Sequence, residues 1–383
     1  MSQLNRTNVR LLRRNNMKIT FLFLVLAVTQ IHAQEMLRIP ASNSEIIEGR
    51  LTIPSTGFTG KIVIDVPGTG PNTYDNFRKI GRSTTFRYHD YFADEFGRRG
   101  IAYFSYSTRY TLPDTTPPYF DKVDKEKFQH YTPSEKVSDL EDIIGYLRTD
   151  KRLASARFIL LGWSEGAIIA SLAAERKRVA IDALFLAGTP SDDVYTTILW
   201  QHSGASSMIN YRKFFDTNND GVIQQSEYAN ADPRAIARVG GRKFEELDMN
   251  RDSVLTTDDF RLMLQPRLKA ILGAIERRDD EWIWNSFFRI GAQWIDEHRA
   301  LEPNKIRILK LELPVFLFHG VADANCPVEG VLDMHRRAQE MNKQNIHVFT
   351  FPAHDHSLEF ISWVVRRSMP DGLKTLFDQA DTL

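Results

Sequence analysis

The chain has 383 residues, with 49 Lys+Arg against 49 Asp+Glu, and is 42% hydrophobic and 26% charged. That balance excludes a wholly disordered or fibrous chain, and zero net charge without a basic stripe gives no electrostatic footprint for nucleic acid. The single cysteine, Cys326, excludes an intramolecular disulfide.

The chain opens with Arg10, Arg13, Arg14 and Lys18, followed by an apolar run from Ile19 to Val28 that ends near Ile31-His32-Ala33. A basic start, a short apolar stretch and a small boundary residue describe a secretory signal peptide over 1–33. The pattern is already complete from Met17, although Ile31 departs from the small residue preferred at its position. The run is too short to span a bilayer core of roughly 30 Å. The expected product is an exported chain, periplasmic or secreted, beginning near Gln34. No other segment is long and apolar enough for an integral membrane span.

Next come apolar runs at 61–66, 101–106, 158–161, 183–186, 315–318 and 347–351. They are apolar throughout, as strands covered on both faces should be. Helical stretches separate them, among them 86–99 and 134–149, the latter with apolar residues at 137, 140, 143, 144 and 147. The fold class predicted is α/β, a doubly wound and mostly parallel sheet. From 191 to 310 no buried strand is evident. The expected division is a core over 34–190 and 311–383, interrupted by a helical lid over 191–310 carrying Trp282, Trp284, Phe287, Phe288 and Trp294.

Gly162-Trp163-Ser164-Glu165-Gly166 lies between an apolar strand and a helix. G-x-S-x-G at a strand-to-helix turn is a nucleophile elbow, which lifts a serine hydroxyl above the sheet near a helix N-terminus. A serine needs a base, itself oriented by an acid. Asp323 follows the strand at 315–318 and His356 follows the last strand, where ligand-facing loops of open α/β sheets gather. His354 is the second-ranked histidine, and Asp192 and Asp193 are second-ranked acids.

With G-W-S-E-G at 162–166, H-G-V-A-D at 319–323 and D-H-S-L at 355–358, the sequence resembles the α/β-hydrolases, and within them the dienelactone-hydrolase and prolyl-oligopeptidase-like branch. The resemblance covers roughly 36–190 and 311–383. It implies Ser164 as nucleophile, His356 as general base then acid, and Asp323 as the residue orienting the imidazole. The oxyanion donors expected are the N–H of Glu165 and the loop Gly68-Thr69-Gly70. That loop follows Val66-Pro67, where relatives often have His-Gly. Arg109 stands where relatives carry an arginine, and a structural role is expected for it.

Inside the 191–310 stretch, residues 216–227 fit an EF-hand calcium loop. Asp216, Asn218 and Asp220 supply oxygens at positions 1, 3 and 5, Gly221 the sharp turn, the Val222 carbonyl position 7, and Glu227 a bidentate carboxylate at 12. A second copy, 248–259, has Asp248, Asn250, Asp252, the Val254 carbonyl and Asp259, with Ser253 in place of the glycine and the shorter Asp259 in place of Glu. A weaker, more magnesium-tolerant site is expected there. The whole reads as an exported serine hydrolase of a carboxylic ester, small or polymer-derived, with structural or regulatory calcium in its lid. An amide or peptide substrate, an acyltransferase, and a non-catalytic calcium-binding protein on the same scaffold are the alternatives.

Overall fold

The computed structural model describes residues 33–383. The predicted signal segment therefore lies outside the described residues, apart from Ala33, with which the first strand begins. Among the described residues, no helix is long and apolar enough to cross a membrane.

Eight strands form one sheet: β1 (Ala33–Pro40), β2 (Ile46–Ile53), β3 (Lys61–Val66), β4 (Ala102–Tyr106), β5 (Arg157–Trp163), β6 (Ala183–Ala187), β7 (Val315–Gly320) and β8 (Ile346–Phe351). Their spatial order is β1-β2-β4-β3-β5-β6-β7-β8. β1 and β2 are antiparallel to their neighbours, and all other pairings are parallel. This antiparallel edge was not anticipated, because β1 starts at the expected signal boundary.

The period of two along each strand sorts side chains onto two faces. Ile62, Ile64, Phe104, Leu160, Leu184 and Leu317 pack on one face, beneath helices α2 (Pro133–Leu147) and α3 (Glu165–Arg176). On the other, Val63, Tyr103, Ile159, Phe185 and Phe318 meet α1 (Tyr88–Arg98) and residues of the C-terminal helices, such as Phe360 and Phe377. Burial on both faces explains why these strands read as continuous apolar runs. In α2, Val137, Leu140, Ile143, Ile144 and Leu147 are all buried. Its start is fixed by Pro133 in the first turn and a capping box between Thr132 and Glu135. The helix expected from residue 86 begins instead at Tyr88, because Thr84–Arg87 pairs with Phe77–Ile80 in a short ribbon.

Between β6 and β7 lie α4 (Val194–Gln201), α5 (Ala205–Phe215), α6 (Thr257–Arg277), α7 (Asp280–Ser286), α8 (Ala292–Ala300) and α9 (Asn304–Lys310). They build two small cores. One gathers Ile198, Ile271, Ile283, Phe287, Trp294 and Ile295, and the other Met208, Phe215, Ile223, Tyr228, Leu255 and Phe260. Helix α6 contributes to both. Helix α9, at the end of the 191–310 stretch, buries Ile308 in the sheet's own core.

Candidate active site

The turn from β5 to α3 holds Ser164 at φ 54°, ψ −122°, a conformation that L-residues rarely adopt. Its N–H donates to the Ala187 carbonyl at 3.0 Å. The flanking glycines are obligatory for want of space. A Cβ on Gly162 would lie 2.5 Å from the Gly166 carbonyl oxygen, and one on Gly166 would lie 2.0 Å from that of Val66. The chain is thus folded tightly back between β5, α3 and β3, with the serine at the crest.

The loops after β7 and β8 bring Asp323 and His356 together. His356 Nδ1–H donates to Asp323 Oδ2 at 2.8 Å. Asp323 is buried, and its other oxygen accepts the backbone N–H groups of Asn325 (2.7 Å) and Cys326 (2.9 Å). Burial alone would raise this carboxyl's pKa, but His356 and His319 outweigh it and hold it below the ordinary range. For His356, burial opposes the charged form, but the facing Asp323 carboxylate outweighs it and the imidazole pKa is raised. Ser164 and His356 line one cavity, although among the described residues no hydrogen bond joins their side chains. Such bonds are commonly long without substrate.

Gly68 approaches Ser164 from β3, since a Cβ on it would come within 3.4 Å of the serine Cβ. Thr69 lines the cavity, together with Glu165. Gly70, with φ +83°, instead faces the 191–310 stretch: the Phe288 carbonyl oxygen would lie 2.7 Å from a Cβ there. Of the expected oxyanion loop, then, Thr69 lines the cavity and Gly68 lies close behind Ser164, whereas Gly70 lines an outer cleft that Thr69 and Phe288 share. Asn72 holds the loop by donating from Nδ2 to the carbonyls of Gly68 (3.2 Å) and Gly70 (3.0 Å).

The cavity is about 230 Å³. Ile168, Val194, Ile198, Phe287 and Trp294 supply apolar wall, and among the described residues no lysine or arginine lines it. Trp282 and Trp284 do not reach it. Trp284 lines the outer cleft, and Trp282 packs against the insertion's first core.

One feature at the elbow had no local signal in the sequence. The Glu165 side chain is buried and accepts from Lys136 Nζ (2.8 and 2.9 Å), Trp294 Nε1–H (2.9 Å) and His298 Nε2–H (3.1 Å). Burial would raise its pKa, but Lys136 and His298 outweigh this and bring it to about 2. These partners lie 29, 129 and 133 residues away. The available hints were a lysine at the foot of α2's apolar stripe and a Trp-x-x-x-His pair on α8.

Other candidates have structural places. Arg109 is buried and donates to Asp139 at 2.7 Å. His354 Nε2 accepts the Gly372 N–H, and His319 Nε2–H donates to the Cys326 carbonyl. Asp193 caps α4, and Asp192 pairs with Lys305. Cys326 is buried beside Asp323 and lines the cavity, its thiol pKa raised by burial.

The loops 216–227 and 248–259 repeat one geometry. Positions 4 (Asn219, Arg251) and 6 (Gly221, Ser253) have positive φ in both. Asp216 accepts the N–H groups of Asp220 and Gly221, as Asp248 accepts those of Asp252 and Ser253. Glu227 accepts from Thr217 and Gln224, and Asp259 from Met249 and Thr256. A two-residue ribbon pairs Ile223 with Leu255 and Gln224 with Val254. Both loops carry the carboxylate and amide oxygens that a hard divalent cation prefers. Arg212 donates to Asp216 Oδ2 at 2.8 Å and would compete with such an ion in the first loop.

No protein-family profile matches the chain, and no curated protein does. Solved structures do resemble it. An acylaminoacyl peptidase of Pyrococcus horikoshii matches with a TM-score of 0.50 at 12% identity, over 93% of this chain and 41% of that one. Esterases of Exiguobacterium antarcticum (TM-score 0.46, 14% identity, 91% and 98% covered) and Pyrococcus furiosus (0.44, 13%, 88% and 89%) align as well. At these identities the likeness concerns the fold. Together with the strand order, the peptidase match gives the chain the α/β-hydrolase fold.

Proposed function

We propose that this chain is an exported serine hydrolase that cleaves carboxylic esters through an acyl-enzyme on Ser164. The observation that carries the reading is the strained Ser164 turn opening into the same cavity as His356, whose other ring nitrogen is bonded to buried Asp323. With Nδ1–H committed to Asp323, Nε2 is the imidazole's basic atom. As Ser164 Oγ attacks the ester carbonyl carbon, Nε2 takes its proton. The N–H groups of Glu165 and of the Gly68–Thr69 segment stabilise the oxyanion. Nε2 then protonates the departing alkoxide, and the C–O bond breaks. Water, deprotonated by Nε2, attacks the acyl-serine, and collapse returns the proton to Oγ and releases the acid. Asp323 keeps the imidazole in the required tautomer and stabilises its charged form.

Calcium belongs to the same reading. Asp216, Asn218, Asp220, the Val222 carbonyl and Glu227 would hold one ion, and Asp248, Asn250, Asp252, the Val254 carbonyl and Asp259 a second. The ion supplies charge neutralisation and loop cross-linking. The second site is the weaker, because Asp259 is shorter than Glu and because Ser253 holds, at φ 68°, a conformation that suits glycine. Export rests on the N-terminal pattern and is checked by the intact mass of the exported protein.

The acyl-enzyme is the test of the reaction. Rapid acid quench of a short-chain nitrophenyl ester reaction, followed by peptide mapping, should find one acyl group on the peptide containing Ser164. An acyl group elsewhere, or none during turnover, would overturn the mechanism.

A further inference from the structure

We propose that the Glu165 carboxylate is a specificity-setting latch, which fixes Trp294 as a wall of the acyl cavity and confines the enzyme to short, uncharged acyl groups. The inference rests on the serine-hydrolase reading. Glu165 has two separate parts in it: its N–H faces the oxyanion, whereas its side chain is a positioning group that touches no reacting atom.

Three elements meet at this carboxylate. Glu165 starts α3, Lys136 comes from α2, and Trp294 and His298 come from successive turns of α8 in the insertion. Trp294 is buried, its indole tilted at 60° against the His298 ring with 4.2 Å between centroids. The acceptor for its N–H is Glu165 Oε1. Turning the ring out of the cavity would strand that N–H, and a buried donor without a partner is costly. Lys136 and His298 keep the carboxylate charged, and acceptance by an ionised group is stronger than by a neutral one. The ring is thereby held against the cavity beside Ile168, one turn along α3 from Glu165.

The resulting cleft selects by size and charge. Its volume of about 230 Å³ lies below the roughly 300–1,000 Å³ of sites that take drug-sized ligands. Among the described residues its one carboxylate, Glu165, already accepts from three side chains and no lysine or arginine lines it, so an acyl chain bearing a carboxylate would be desolvated without a permanent cation to pair with. Acetyl to hexanoyl esters fit these limits.

The test is a chain-length series of nitrophenyl esters, acetyl to dodecanoyl, with kcat and KM measured separately. Wild type should be most efficient within acetyl to hexanoyl. Trp294→Ala should raise the octanoyl-to-butyryl ratio of kcat/KM by at least about tenfold, the scale at which apolar pockets discriminate chain length. The double variant Lys136→Met/Glu165→Leu replaces the buried pair with apolar groups, so no charge is stranded, and it keeps the residue-165 N–H. It should raise the same ratio, mainly through a lower KM for octanoyl. Trp294→Phe keeps a ring but has no N–H for Glu165, and it should move the ratio in the same direction should the double variant not fold. Labelling of Ser164 by a fluorophosphonate in every folded variant shows that the hydrolase reading stands. A labelled wild type that prefers dodecanoyl, or folded latch variants with the wild-type ratio, would overturn this inference alone. No labelling and no turnover in wild type would overturn both readings.

Discussion

Two of the contacts that join the 191–310 insertion to the core work by opposite means. At its C-terminal half, Trp294 and His298 of α8 reach a buried carboxylate next to Ser164 that Lys136 also holds from the core. At its N-terminal half, α5, which leads into the 216–227 loop, touches the loops that carry Asp323 and His356 through lighter contacts: Ser206 Oγ–H to the Ala324 carbonyl, and Lys213 to Glu359 at 2.7 Å. The first attachment is dry and charge-assisted, so it has one good geometry. The second is partly exposed and joins the core to the loops for which calcium is proposed. On the proposed reading, one half of the insertion serves as a fixed wall and the other as a part that calcium would stiffen, with α6 running through both small cores.

The sharpest way to break this contrast is to strand a charge at the fixed attachment. Glu165→Ala leaves Lys136 buried without its partner, and denaturant unfolding should show a loss of about 3–5 kcal/mol, the range for a broken buried pair. Next in size is calcium. At a hundred times its dissociation constant it should stabilise the native protein by about 2.7 kcal/mol per site, read as a rise in melting temperature that chelator reverses. Glu227→Gln should abolish most of that rise and Asp259→Asn less of it. Equal rises in the two variants would contradict the ranking of the two loops.

Acid sharpens the contrast further. Because the Glu165 pKa falls from 4.5 to about 2 on folding, its charge contributes stability that is fully present above pH 4.5 and lost as pH falls through about 2. The melting-temperature gap between wild type and Glu165→Gln should therefore narrow across that window. In the reaction itself, the raised His356 pKa places the acid limb of kcat/KM above the ordinary imidazole value of 6.5, and Asp323→Asn should lower that limb along with the rate. The smallest effect belongs to the lighter attachment: Lys213→Ala removes an exposed pair, and unfolding should change by less than about 1 kcal/mol.

What could be read in the sequence was local in origin. The elbow glycines, the helical spacing in 137–147 and the doubled Asp-x-Asn-x-Asp pattern each reflect a constraint between neighbours along the chain, and the structure gives each a shape that accounts for it. Asp323 and His356 are far apart in the chain, yet legible because parallel α/β sheets collect such residues at the strand ends. The Glu165 network is held by partners up to 133 residues away and has no such rule. The antiparallel β1–β2 edge was hidden for a different reason. β1 is mostly exposed and the buried β2 is interrupted by Glu48, Gly49 and Arg50, so neither has the continuous apolar run of the central strands, and β1 begins where the export signal was expected to end.

The central claim is that Ser164 is the nucleophile of an ester hydrolase. Its most direct test is turnover of a nitrophenyl butyrate by wild type beside Ser164→Ala, both lacking residues 1–33 and both shown to be folded. The expected result is steady hydrolysis by wild type and a loss of at least about a thousandfold in the variant, the scale set by removal of a catalytic-triad member. Wild-type rates in Ser164→Ala would contradict the account.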